Sequence, residues 1–338
     1  MTKRLVVMSL GPDAGGGFEV REAPRRRPAP DEIEVAVEAA SVNPIDVRRA
    51  NGYGRRLLSL MGASRFPMTL GNDFAGTVVT VGARASDFAV GDRVYGVKPV
   101  SRDGSHSSHV VVKAAYARKA PQDRDLQELA ALPYSFVTMW LAAQAVGLTP
   151  QSPKCVLVHG AAGGLGRLAL QTLSAWGARA TAIARASDLK SCLEAGAAEV
   201  FDRAQNPFAA LRRTFDATLN FAAWDDERAV LGCLRAGATE HATTVHPLLQ
   251  NFDGHGWLGG AVRTMLDKTE MRAALPDGAH AYAWVLFRPD VEALSEMARL
   301  VELGRLSLPI GIRAPFSDAR AAFDHMRRRL PGRALLVP

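Results

Sequence analysis

Cys155-Val156-Leu157-Val158-His159-Gly160-Ala161-Ala162-Gly163-Gly164-Leu165-Gly166-Arg167 is the stretch whose reading decides the fold. Cys155–His159 is a short apolar run, the pattern of a buried parallel strand. A glycine-rich turn follows at once, and residues 165–176 carry helical periodicity up to Gly177. In such a turn the missing Cβ atoms let the backbone approach a pyrophosphate. The helix start adds free N–H groups and a partial positive charge. The matching positions are Ala161-x-Gly163-Gly164-x-Gly166 with Gly160 just before, so Ala161 takes the place of the first glycine of G-x-G-x-x-G. A lone glycine motif is weak; a strand before it and a helix after it are the context that gives it weight. The bland alternative is a structural turn in another α/β fold.

Outward from this turn, strands and helices alternate. Arg179–Ala184 reads as the second strand, 187–195 as a helix, and further strands fall near Glu199–Phe201, Asp216–Phe221, Ala238–Thr244 and Tyr282–Phe287. That alternation predicts a doubly wound parallel sheet of Rossmann type. The first third is β-rich instead. Residues 31–40 alternate with period two, and Gly76–Val81, Arg93–Gly96 and His109–Val112 are further strands separated by turn residues. Residues 125–147 read as helical and broken at Pro133, 290–304 as a periodic helix, and 308–338 as β-like and turn-rich.

The end of the second strand bears on the cofactor. An NAD enzyme usually places Asp or Glu there for the ribose hydroxyls. Here stand Ala184-Arg185-Ala186-Ser187, with Lys190 after them. Arg185 offers a fork of donors and a fixed charge to a 2′-phosphate, which favours NADPH. A surface arginine in an arginine-rich chain is the competing reading.

At 338 residues with 48% hydrophobic and 22% charged content, the chain has ordinary globular composition and room for two domains. No apolar run reaches the roughly 18 residues that a membrane span takes. The opening MTKRLVVMSLG lacks the long apolar core of a secretory signal, so a cytoplasmic protein is expected. The 3 cysteines, Cys155, Cys192 and Cys233, stand far apart and form neither a disulfide framework nor a zinc cluster. Net charge is +7, yet the basic triplets at 25–27 and 327–329 lie near opposite ends without aromatic neighbours. They read as solvated faces, with no nucleic-acid partner implied.

Several stretches together resemble the medium-chain dehydrogenase/reductase superfamily in its zinc-free quinone oxidoreductase branch. They are Ser41-Val42-Asn43-Pro44-Ile45-Asp46, Pro67-x-x-Leu70-Gly71-Asn72-Asp73-x-Ala75-Gly76, Val90-Gly91-Asp92-Arg93-Val94, Leu132-Pro133-x-x-x-x-Thr138, the glycine loop, and Pro331-Gly332-Arg333-Ala334-Leu335-Leu336-Val337. Asn51-Gly52-Tyr53-Gly54 with the insert before Phe66-Pro67, and Pro247-Leu248-Leu249-Gln250-Asn251-x-Asp253-x-x-Gly256 after Gly237-Ala238-Thr239, look most like the reticulon-interacting mitochondrial oxidoreductases. Without a transit peptide ahead of the first strand, a bacterial-type cytoplasmic relative is expected. The resemblance implies a GroES-like β-barrel catalytic domain at 1–126 and 290–338 and a Rossmann domain at 127–289, with the site in the cleft between. It implies a homodimer joined through the last strands of the nucleotide domains, here Tyr282–Phe287. It implies nucleotide contacts at Thr138, Gly160, Ala161, Ala162, Gly163, Gly164, Leu165, Gly166, Arg185, Ser187, Lys190, Phe287 and Arg333.

Zinc-dependent members of that superfamily place their ligands where Asn43, Asn72 and a position near Tyr134 stand here. Amides and a phenol are poor zinc ligands beside thiolate and imidazole, so no metal is expected. His106 and His109, and likewise His241, His246 and His255, read as surface or packing residues. Without a Lewis acid the favoured chemistry is hydride transfer to an electron-poor carbon. A quinone or an activated alkene or carbonyl is such an acceptor, and enoyl thioesters and 2-alkenals need the same geometry. An NADPH-binding regulatory protein without turnover is the alternative outside enzymes. Asn43 is the expected catalytic donor to the acceptor oxygen, Tyr53 a second, and Thr138 borders the nicotinamide. Asn43 before Pro44 also suits a plain turn residue. The insert from Tyr53 to Phe66, with Leu57, Leu58, Leu60 and Met61 beside Arg55 and Arg56, reads as a short amphipathic lid or a packed surface helix.

Overall fold

The computed structural model describes residues 1–8, 17–101, 103–151, 154–237, 240–278 and 281–338. The chain divides into two compact units. Unit 1 comprises Met1–Tyr134, Phe252–Gly256 and Arg288–Pro338; unit 2 comprises Ser135–Asn251 and Trp257–Phe287.

Unit 1 opens with an antiparallel ribbon of β1 (Thr2–Val7) and β2 (Phe18–Ala23). β3 (Glu32–Val42) follows, then α1 (Pro44–Ala50), α2 (Arg55–Ser59), β4 (Asp73–Val81), β5 (Arg93–Val97), β6 (His109–Lys113) and β7 (Ala117–Lys119). Ile33, Val35 and Val37 point into a core shared with Phe74, Val78, Val94 and Val110, as period two requires. Glu34 departs from that alternation: it is buried, and the Arg25 guanidinium clasps it at 2.7 and 2.8 Å. α3 (Leu126–Leu129) comes next, and α4 (Pro133–Ala145) begins at the end of this stretch and belongs to unit 2 from Ser135 on. Pro133 opens α4 rather than breaking a longer helix, since its missing N–H belongs to the first turn, where no helical partner exists.

Unit 2 is built on β8 (Cys155–His159), α5 (Gly164–Ala175), β9 (Arg179–Ala184), α6 (Leu189–Glu194), β10 (Glu199–Asp202), β11 (Ala217–Asn220), α7 (Glu227–Leu231), β12 (Glu240–Thr243), α8 (Leu248–Ala273) and β13 (Ala281–Trp284). The sheet order is β10-β9-β8-β11-β12-β13, and every pairing is parallel. Strand order therefore reverses between β8 and β11, the point where such sheets take ligands. The expected fifth strand is present as β12; its expected start at Ala238 and Thr239 lies outside the described residues.

α8 was not legible as a helix. It is broken at Gly256, whose φ of 72° and ψ of −167° are non-helical. Its later half is turned outward: Leu258, Val262, Met265 and Leu266 are exposed while Asp267 is buried.

The chain then completes unit 1 with α9 (Val291–Glu302), β14 (Ile310–Pro315), α10 (Ala319–Arg327) and β15 (Arg333–Val337). β15 closes antiparallel on β3, giving the order β14-β15-β3-β4-β5-β7 with β6 also on β3. The β-like reading of 308–338 missed α10. Its Ala319, Ala322 and Phe323 make a helical stripe buried on Leu5, Val42 and Leu336, between arginines that mask the pattern.

Candidate active site

In unit 2 the glycine loop leaves β8 and enters α5. Gly160 has a φ of 80°, and a Cβ there would meet the Ala222 backbone nitrogen at 2.9 Å. Gly163 precedes the first turn of α5, and a Cβ on it would have only the Gly160 carbonyl within reach, at 3.4 Å. A Cβ on Gly166 would lie 2.3 Å from that same carbonyl and 2.5 Å from Ala161 Cα. The third glycine therefore lets helix and strand pack, and the second leaves an open face over the N–H groups of the first turn. This arrangement fits a pyrophosphate. Ala161 is buried and Ala162, Gly164 and Leu165 are partly exposed around the loop.

Arg185 follows β9 and is exposed; its Nε donates to Asp188 at 3.0 Å. It lines a recess with Asp202, Arg203, Phe208 and Asp226. Ser187 and Lys190 are exposed, but neither lines that recess, and Lys190 lies 3.9 Å from Glu194 along α6. Arg203 was missed by sequence reasoning. It reaches the recess because β10 lies beside β9, and it donates to Asp226 at 2.7 and 3.1 Å. Asp226 also holds His159 Nε2 at 2.7 Å. Burial pushes the His159 imidazole below its ordinary value, against the pull of Asp226. Thr138 is buried within α4, and Phe287 is partly exposed just after β13.

Of the three expected catalytic residues, Asn43 alone lies in a buried polar network of unit 1, with Ser41, Asp46, Asp73 and Arg333. Asn43 precedes α1 with its backbone N–H on Asp46 Oδ2 at 2.8 Å. Its amide nitrogen donates to Ser41 Oγ and Asp73 Oδ2, each at 3.2 Å, and its amide oxygen accepts from Arg333. Asn43 is fully buried with both faces of its amide engaged. The expected role as a direct donor to an acceptor is therefore corrected: Asn43 ties Asp73 to Arg333. Arg333 is corrected likewise. It was expected at the nucleotide, but it is buried on Asn43.

Asp73 is 0% exposed, as is Asp46, whose Oδ2 accepts the Asn43 backbone N–H. Burial lifts its carboxyl to about 7, opposed by the Arg333 guanidinium and the Ser41 hydroxyl. Burial pushes Arg333 below its ordinary value, with Asp73 pulling it back.

Asn72 donates to the Lys98 carbonyl at 3.2 Å, and Tyr134 is partly exposed. Two amides and a phenol are not a donor set for zinc. Among the described residues no group of three or more His, Cys, Asp or Glu is placed to hold a metal ion. The histidines serve packing: His106 Nε2 bonds the Ser41 carbonyl at 3.1 Å, His109 faces Ser108, His241 joins Glu227 to Thr218, and His246 stacks on Trp284.

Tyr53 is half-buried under the Arg48 guanidinium, 5.1 Å from its ring centroid. Burial raises its phenol above the ordinary value, so it stays protonated. The insert after it holds one short helix, α2, with Leu58 buried and Leu60 and Met61 exposed. Asp253 anchors that helix: its carboxylate accepts the backbone N–H groups of Gly54 and Arg56. Asp253 stood in the resemblance string, but only the three-dimensional contact shows it capping a helix some 200 residues away.

Residues 29–122 match a family model described as "Alcohol dehydrogenase GroES-like domain", and residues 195–330 one described as "Zinc-binding dehydrogenase". The chain is 31% identical to "Reticulon-4-interacting protein 1, mitochondrial" of Caenorhabditis elegans, covering 99% of this chain and 96% of that protein. It is 33% identical to "NAD(P)H oxidoreductase RTN4IP1, mitochondrial" of Mus musculus, over 88% and 79%. Three solved structures share the fold. A quinone oxidoreductase from Coxiella burnetii has a TM-score of 0.79 at 20% identity, covering 100% of this chain and 99% of that one. An alcohol dehydrogenase superfamily protein from Novosphingobium aromaticivorans has 0.81 at 24%, covering 100% of both. The CurK enoyl reductase has 0.80 at 21%, covering 99% of both.

Proposed function

This chain belongs to the medium-chain dehydrogenase/reductase superfamily, and from that premise we propose that it is a zinc-independent, NADPH-dependent reductase of quinones or other activated alkenes and carbonyls. The carrying observation is the open glycine cradle of unit 2 in a chain that has Asn43, Asn72 and Tyr134 in place of zinc ligands. The mouse relative's name supports a nicotinamide nucleotide, and the Coxiella quinone oxidoreductase is a fold relative. The first-turn N–H groups of α5 hold the pyrophosphate, with Gly163 giving the close approach. Arg185 pairs with the 2′-phosphate. Thr138 borders the ring. The bound reduced nicotinamide supplies the hydride.

Tyr53 takes the role first expected of Asn43, donating its hydroxyl to the acceptor oxygen where negative charge develops. The acceptor's proton comes from water. Leu60 and Met61 give the acceptor an apolar wall. The proposal includes a homodimer through the β13 edge, which pairs with β12 on one side in the described sheet. A cytoplasmic location is proposed with it, to be checked by fractionation.

Arg185→Ala tests the cofactor assignment. One charge-assisted contact is worth roughly 1.5–3 kcal/mol, so wild type should prefer NADPH over NADH on the order of tenfold to a hundredfold. Titration by nucleotide fluorescence should show that preference collapse in the variant while NADH affinity holds. Equal affinities in the wild type would remove the basis for NADPH.

A further inference from the structure

Unit 1 has a cavity of about 450 Å³ that the proposed reduction does not use. Its charged lining is Arg4, Arg25, Arg26, Lys98 and Lys113 against Glu32, Glu34 and Asp103. Each carboxylate already has an arginine. Asp103 meets Arg4 at 2.7 Å, Glu34 meets Arg25 at 2.7 Å, and Glu32 meets Arg26 at 2.8 Å. The two lysines are thus surplus positive charge. His109 lines the same wall, and burial holds its imidazole below the ordinary value, so it adds little charge at neutral pH.

Lys98 lies just past β5 and is half-buried. Among the described residues its ammonium makes one hydrogen bond, to the Val111 carbonyl at 3.2 Å. Burial pushes it down to about 8; Asp103 and Glu32 pull it up, while Arg26 and Arg4 push it further down. An appreciable share is therefore free amine at neutral pH.

We propose that this cavity is an acylation site, in which Lys98 takes the acyl group of a small anionic acyl phosphate drawn in by the surplus positive charge. The Nζ lone pair attacks the carbonyl carbon, and an N–C bond forms as the C–O bond to phosphate breaks. Phosphate leaves with that bond's electron pair, and the proton on nitrogen passes to water. The product is an amide without charge, so modification cancels one cation of the cavity.

A group titrating near 8 is about one quarter neutral at about pH 7.5, against about one part in a thousand for an ordinary lysine. Lower basicity also lowers nucleophilicity, with a slope of about 0.5 by analogy with thiols. The net advantage is on the order of tenfold.

The chain has 7 lysines, so the comparison is direct. The full-length protein is incubated with acetyl phosphate near neutral pH, and each lysine is followed by peptide mass spectrometry. Lys98 should acetylate on the order of tenfold faster than Lys113, Lys190 or Lys268. Its rate should level off above about pH 8–9, and inorganic phosphate should slow Lys98 alone. Uniform rates across the lysines overturn the proposal, as does a Lys98 preference that phosphate leaves untouched. The assay reads no reductase activity, so its outcome is independent of the proposed function.

Discussion

Gly163→Ala should bind NADPH on the order of a hundredfold more weakly than wild type, about 2.7 kcal/mol, while melting close to the wild-type temperature. Gly163 has a φ of −70°, which alanine adopts without strain, and a Cβ there would touch the protein only at 3.4 Å. The added methyl falls in open space, where the proposed pyrophosphate would sit. Gly166→Ala should behave differently. Its Cβ would enter the Gly160 carbonyl at 2.3 Å, a backbone atom that cannot swing aside. That variant should lose stability and nucleotide binding together. Titration and thermal melts of the pair separate the two roles. An unchanged affinity for Gly163→Ala would mean that the loop is only structural.

Arg333→Met should cost about 1.4 kcal/mol more stability at pH 8 than at pH 5, because Asp73 then has to keep its proton. The deficit should shrink toward pH 5. Asp73 titrates near 7 in the folded protein, above its ordinary 3.8. Its contribution to stability is therefore full below about pH 4 and is lost as pH rises through 7. Removing Arg333 removes an interaction that lowers Asp73, so the carboxyl stays protonated to higher pH and the loss extends upward. Adding Asp73→Asn should recover most of the alkaline deficit. Denaturant unfolding at the two pH values reads this, and equal deficits at both would separate Asp73 from Arg333.

The nucleotide unit was the more legible half. β8 and β9 are apolar runs cut by glycine, and α5 begins at the loop itself, so period and punctuation agree there. α8 and α10 were hidden for different reasons. α8 carries glycines and faces its apolar side outward, which inverts the usual pattern, while α10 sets its buried stripe among arginines. Arg185 stood out as a candidate because it follows a strand that the glycine loop identifies. Arg203 required the strand order. The Asn43–Arg333 contact joins chain ends 290 residues apart, and no local spacing signals it. The residue types around Asn43 set the expectation about zinc. Their hydrogen bonds were not legible, and these move Asn43 from the expected donor role to a structural one.

Isotope transfer is the most direct test of zinc-independent hydride transfer from NADPH. Protein treated with chelator, with its metal content measured, is mixed with NADPH carrying deuterium at the transferable position and with an α,β-unsaturated ketone. The account predicts one deuterium on the β-carbon of the saturated product, at undiminished rate and with zinc far below one per chain. No deuterium in the product, or a rate that falls with the chelator and returns with zinc, would contradict it.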